Sequence, residues 1–103
     1  MPRTHQTSQK DILLGMLREA RAEHGVSQEI LADRLGFRQT DISKAERGVR
    51  RLDVLELRAW VVSLGIPFPE FVAELDERLA SLETLQRHMR PGGARSLTPK
   101  RRP

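Results

Sequence analysis

The stretch from Ser27 to Gly48 constrains this chain more than any other. It holds two short helical patterns separated only by Gly36-Phe37-Arg38. Helices joined by so short a link must cross at close range, and the crossing needs a small residue, which Ala32 supplies. The link must also turn sharply, which favours a residue free to adopt positive φ, and Gly36 stands there. Leu31, Leu35, Ile42 and Ala45 are spaced to plug into the rest of a domain. The second helix is left with a polar face of Gln39, Thr40, Ser43 and Lys44. A rigid helix with such a face fits a DNA major groove, where amide, hydroxyl and ammonium groups meet base edges.

Helical spacing dominates the remainder. A first helix is expected from about Ser8, with Asp11 three residues on for reciprocal capping. Leu13, Leu17 and Ala20 form its apolar stripe and Gly25 its stop. Ser27 caps the second helix and Gly36 ends it. The third runs from about Gln39 to Arg47 and stops at Gly48. Asp53 caps a fourth bearing Leu57, Trp60, Val61 and Leu64, with Gly65 at its end. Pro69 suits the first turn of a fifth, whose apolar positions are Phe71, Val72, Leu75, Leu79, Leu82, Leu85 and Met89. Tyr is absent and no Asn-Gly hairpin turn occurs, so strand signals are weak. The expected fold is all-α, a compact five-helix domain over residues 8–90. Residues 1–7 are expected to be a flexible arm, and residues 91–103, polar, basic and Pro/Gly-rich, a disordered tail.

The distribution of charge says more than the net +4. Residues 11–86 hold ten basic and fourteen acidic side chains, so the basic excess sits at the two ends. Within the block, residues 38–51 carry a local +3 and residues 52–86 a local −5. One segment suits phosphate and the next should turn away from it.

The set Leu17, Arg21, Gly25-Val26-Ser27-Gln28, Leu31-Ala32, Leu35-Gly36, Ile42-Ser43, Glu46, Gly48, Leu57 and Leu64-Gly65 resembles the phage repressor/Cro (Xre-type) helix-turn-helix family. The likeness spans about Leu13 to Leu75 and runs without a gap through the helix-turn-helix. It implies a lambda-repressor-like DNA-binding domain with the helix-turn-helix at helices 2 and 3. It also implies base contacts from Gln39, Thr40, Ser43 and Lys44, with Gln39 pairing to adenine. Phosphate contacts are implied for Gln28, Arg47, Arg50 and Arg51, and an ion pair between the first and third helices for Arg21 and Glu46. Two positions depart from the family. Arg38 stands where a capping Ser or Thr is common and is expected to reach a phosphate instead, and Leu52 stands where a Pro is common, which leaves the path of Arg50 and Arg51 open.

The implied function is a sequence-specific DNA-binding transcriptional regulator, a cytoplasmic repressor on a palindromic operator. The alternative is the antitoxin of a toxin–antitoxin pair, with the acidic second half offered to a basic toxin partner. The helix-turn-helix is common to both readings. A homodimer is expected through the fifth helix. There Val72, Leu75, Leu79, Leu82, Gln86 and Met89 form a narrow seam with Leu85 beside it, and the later leucines are expected beyond the chain's own core. Trp60 sits at helical spacing with Leu57, Val61 and Leu64, as a core residue does. No stretch is long and apolar enough to span a membrane, and cysteine is absent. His5, His24 and His88 lack metal-ligand spacing, and no nucleophile elbow or phosphate loop occurs. An enzyme, a metal site and a cofactor are therefore not expected.

Overall fold

Side-chain acceptors at helix starts set the architecture. The computed structural model describes residues 8–89 and folds them into α1 (Gln9–Glu23), α2 (Gln28–Leu35), α3 (Gln39–Glu46), α4 (Val54–Ser63) and α5 (Phe68–Met89). The expected flexible arm and basic tail lie outside the described residues, as does the Met89 side chain. Ser8 and Asp11 close a reciprocal box at the head of α1, each bond 3.1 Å long. Asp53 and Glu56 do the same for α4, at 2.7 and 3.0 Å. Ser27 Oγ accepts the Ile30 N–H at 3.1 Å and starts α2. At α3 the cap position holds Arg38, whose guanidinium has no acceptor to offer. Only the return bond is made there, from Arg38 N–H to Asp41 Oδ2 at 3.0 Å.

The α2–α3 crossing follows the expected chemistry. Gly36 takes φ +73°, and the Phe37 N–H turns back to the Ala32 carbonyl at 2.9 Å. Ala32 and Ala45 are buried and admit the close approach. Leu17, Leu31, Ile42, Trp60 and Val61 are wholly inaccessible, so α1 to α4 each place a side chain at the centre. Phe71 adds α5, and Val26, Leu64, Met16 and Ala20 complete the cluster. Burying each large apolar side chain stabilises the fold by about 1.5–3 kcal/mol. Trp60 is a core residue, as its spacing predicts, although its indole Nε1 has no hydrogen-bond partner among the described residues. No helix among the described residues is long and apolar enough to cross a membrane.

α5 corrects one expectation. It packs along α1, and Arg78 reaches Glu19 of α1 at 3.4 Å while pairing with Glu74 one turn back on α5. The Glu74 hydrogen bond is the main reason the Arg78 guanidinium is held above its ordinary pKa. Leu82, one turn further along, is only 9% exposed in a single chain, and Leu75 packs against the core. Leu79 is half-buried, and Leu85 is 57% exposed. The expectation that the later leucines lie beyond the chain's own core therefore holds for Leu85 and fails for Leu82. The reason is geometric: α5 packs back along α1, and Leu82 is covered within the single chain.

Candidate nucleic-acid interface

α3 is only eight residues long, too short to be stable alone, and its position depends on its neighbours. Cations from α1 meet its C-terminal end, the negative pole of the helix. Arg18 Nη1 donates to the Glu46 carbonyl at 2.9 Å, and Lys10 Nζ donates to the Gly48 carbonyl at 3.0 Å. Gly48 has φ +81°, and a Cβ there would lie 3.0 Å from Leu14 Cδ1 and 3.1 Å from Lys10 Cε. Glycine is thus required by both backbone conformation and the closeness of α1.

The carboxylate of Glu46 is the anchor. Its residue is 3% exposed, yet it is charged. Arg21 grips it through two bonds, Nε to Oε2 at 2.6 Å and Nη2 to Oε1 at 3.0 Å. Such a paired geometry is what lets a buried carboxylate persist. Arg21 Nη1 also donates to the Val26 carbonyl at 3.0 Å, tying in the turn before α2. Gln28 Nε2 gives Glu46 Oε1 a further bond at 3.0 Å. Gln28 Oε1 in turn accepts from Gln39 Nε2 at 3.1 Å. An unbroken chain of polar contacts therefore runs from α1, through the buried end of α3, to the residue that starts α3.

The residues expected to contact DNA fall into three groups. Gln39, Thr40 and Lys44 are exposed together along α3, with Ser43 half-buried beside them. Ser43, Gln28, Glu46 and Arg47 line an open recess of about 500 Å³ against Asp11, Leu14 and Arg18 of α1. Arg38, Arg47 and Arg51 are exposed at the two ends of α3 and in the loop after it. Gln28 is half-buried, its amide already engaged by Glu46 and Gln39. Arg50 is placed differently from its neighbours. Its guanidinium stacks 4.7 Å from the Phe37 ring centroid and pairs with Glu56 at 3.2 Å, leaving its side chain 30% exposed. It braces the loop between α3 and α4, with Leu52 packed on the core where the family commonly has Pro.

Lys10 and Arg18 were not legible as part of this site. Their one sequence signal is spacing: Lys10, Leu14, Arg18 and Arg21 share a helix face at intervals of four, four and three. A second recess, of about 130 Å³ between α1 and α5, carries Glu19, Glu23, Glu70, Glu74 and Arg78 and takes no residue from α2 or α3. Four acidic side chains thus gather away from the basic loop. His24 caps α1, its Nδ1 2.9 Å from the Ala20 carbonyl. No group of three or more His, Asp or Glu side chains among the described residues is arranged to hold a metal.

Two short helices crossing at a left-handed glycine, with the second presenting a polar row, define a helix-turn-helix DNA-binding domain. Residues 17–71, more than half of the chain, match the helix-turn-helix family model, and the chain belongs to that family, in its phage repressor/Cro (Xre) type. Its members are DNA-binding transcriptional regulators. No curated protein matches the sequence significantly. Among solved structures, the wild-type restriction-modification controller protein C.Esp1396I is similar in fold, with TM-score 0.64 and 24% identity over 73% of this chain and 99% of that one. The clp gene regulator ClgR from Corynebacterium glutamicum is similar at TM-score 0.62 and 25% identity, over 80% of this chain and 90% of that one.

Proposed function

We propose that this regulator is a cytoplasmic repressor that occupies a palindromic operator as a homodimer. The observation that carries the reading is the exposed row Gln39, Thr40 and Lys44 on a helix whose two ends are both fixed by polar bonds. Gln39 reads adenine, Thr40 packs on a thymine methyl, and Lys44 reaches guanine or a phosphate. Ser43 lies at the edge of this row. Gln28, Arg38, Arg47 and Arg51 hold the sugar–phosphate backbone and set the register. Arg50 serves this surface indirectly, by holding the loop that carries Arg51. A single short recognition helix makes few contacts, so a second copy reading a second half-site raises affinity and specificity together. The pairing surface is the distal part of α5, with Leu85 at its centre, Leu79 beside it and Met89 beyond. Leu75 and Leu82 support it from beneath.

Selection of bound sequences from a random duplex library tests the reading. The expected product is a palindrome with half-sites about one helical turn apart. Recovery of no consensus, or of an asymmetric one bound by monomers, overturns it.

A further inference from the structure

Resting on that reading of Gln39, we propose that Glu46 is a positioning residue for base recognition as well as a structural anchor. A carboxylate accepts hydrogen bonds and never donates them. Gln28 must therefore turn its NH₂ group toward Glu46 Oε1, and it does so at 3.0 Å. That choice leaves Gln28 Oε1 facing outward, where only a donor can sit opposite it. Gln39 supplies the donor from Nε2 at 3.1 Å. One N–H of Gln39 is now occupied inward, so its amide offers the groove one acceptor, Oε1, and one remaining N–H.

An acceptor beside a donor complements the N6 amino group and N7 of adenine. Guanine shows two acceptors, O6 and N7, and would set its O6 against Gln39 Oε1 with no proton between them. Glu46 never approaches the groove, yet its charge determines which way two amides face and hence which purine fits. Arg21 fixes the carboxylate that starts the sequence of bonds, through Nε and Nη2.

Glu46→Gln removes this direction with almost no change of shape. An amide whose NH₂ takes the place of Oε1 gives up the Arg21 Nη2 bond and opposes the Gln28 NH₂, which is then free to turn over. Gln28 and then Gln39 reverse in step, so that Gln39 offers NH₂ to the groove and accommodates guanine. Gln28→Leu breaks the relay at its middle and leaves Arg21 and Glu46 paired.

The test measures the affinity of the full chain for duplexes that differ by adenine or guanine at the base opposite Gln39, with melting curves to confirm folding. The parent is expected to prefer adenine by about ten-fold or more. Both variants are expected to fall to within about three-fold, with the base preference opposite Lys44 unchanged. Gln28→Leu also weakens binding to every sequence, because the second Nε2 hydrogen, the one not held by Glu46, is lost to the phosphate. In a Gln39→Ala background, Glu46→Gln is expected to change the purine preference no further, and a further change there overturns the relay. A folded variant that keeps the parental ratio overturns the proposal, as does a parent that prefers another base there. A parent without any sequence preference overturns the repressor reading and this proposal together.

Discussion

α3 and the distal half of α5 are held in opposite ways. α3 has eight residues, and polar bonds reach it from Arg18, Arg21 and Gln28 and the turn after it from Lys10. α5 has twenty-two residues, and its second half rests on the apolar contact of Leu82 and on the exposed pairs of Arg78. Apolar burial stabilises without direction, whereas a hydrogen bond fixes orientation as well as position. The proposed base reading needs fixed orientation, and the proposed self-association surface needs apolar area left uncovered. The two regions differ in the way those proposed roles require.

The largest expected effect comes from breaking the anchor of α3. Arg21→Ala leaves the Glu46 carboxylate buried without its cation. Removing one partner of a buried pair typically costs ~3–5 kcal/mol, and the 19% exposure of the Arg21 side chain places this site toward the lower figure. Thermal melting is the measurement. Exchanging the two charges, with Arg21→Glu and Glu46→Arg together, should restore part of the loss. An Arg21→Ala protein that melts with the parent would show that α3 is held by packing alone.

Gln39→Ala comes next and tests orientation without touching stability. Gln39 is exposed, so the melting temperature should hold. Affinity for the selected operator should fall by ~1–3 kcal/mol, and preference should relax at one base position only. Repeating the library selection with the variant reads this directly. An unchanged consensus would mean that a different residue of α3 leads into the groove.

What was legible in the sequence follows how local each interaction is. Ser8, Ser27 and Asp53 cap the helices they precede through bonds that span three residues, and all three were readable. Gly36 and Gly48 were readable because the turn chemistry is local too. The Arg21–Glu46 pair crosses 25 positions and was expected only from the family likeness. Periodicity by itself does not place Lys10 under Gly48, 38 positions away. Arg50 looked like Arg51 in sequence. Its stacking on Phe37 depends on where the turn before α3 puts that ring, which no neighbouring residue announces. Leu82 shows the same limit in apolar form. A stripe at heptad-like spacing says that something covers it, and only the tertiary fold decides whether that is another chain or the same one.

The difference between the adjacent arginines sharpens the comparison at a smaller scale. Arg51→Ala should lower the slope of log affinity against log salt by about one unit, as loss of a single phosphate contact does. Arg50→Ala should leave that slope nearly unchanged. It should instead lower stability by ~0.5–1 kcal/mol, because its stacking and its pair with Glu56 are both partly solvated. Binding isotherms over a salt series, paired with melts, separate the two. Equal salt slopes for the two variants would return Arg50 to the phosphate-contacting set.

Leu85→Glu has the smallest expected effect on the fold and probes the other region. Leu85 is 57% exposed, so replacing it should change folding stability by less than about 0.5 kcal/mol. Leu82 is the wrong site for this test, because it is buried within a single chain and a charge there would cost folding stability whether or not a dimer exists. If the distal α5 pairs two chains, a glutamate on each copy brings like charges together across a two-fold axis. Sedimentation equilibrium at tens of micromolar should then find the parent dimeric and Leu85→Glu monomeric, with the same helix content. Binding to a palindromic duplex should lose cooperativity, while binding to one half-site should stay as it was. A variant that remains dimeric places the pairing surface elsewhere, and the exposed apolar residues Leu55 and Val62 of α4 are the next positions to charge.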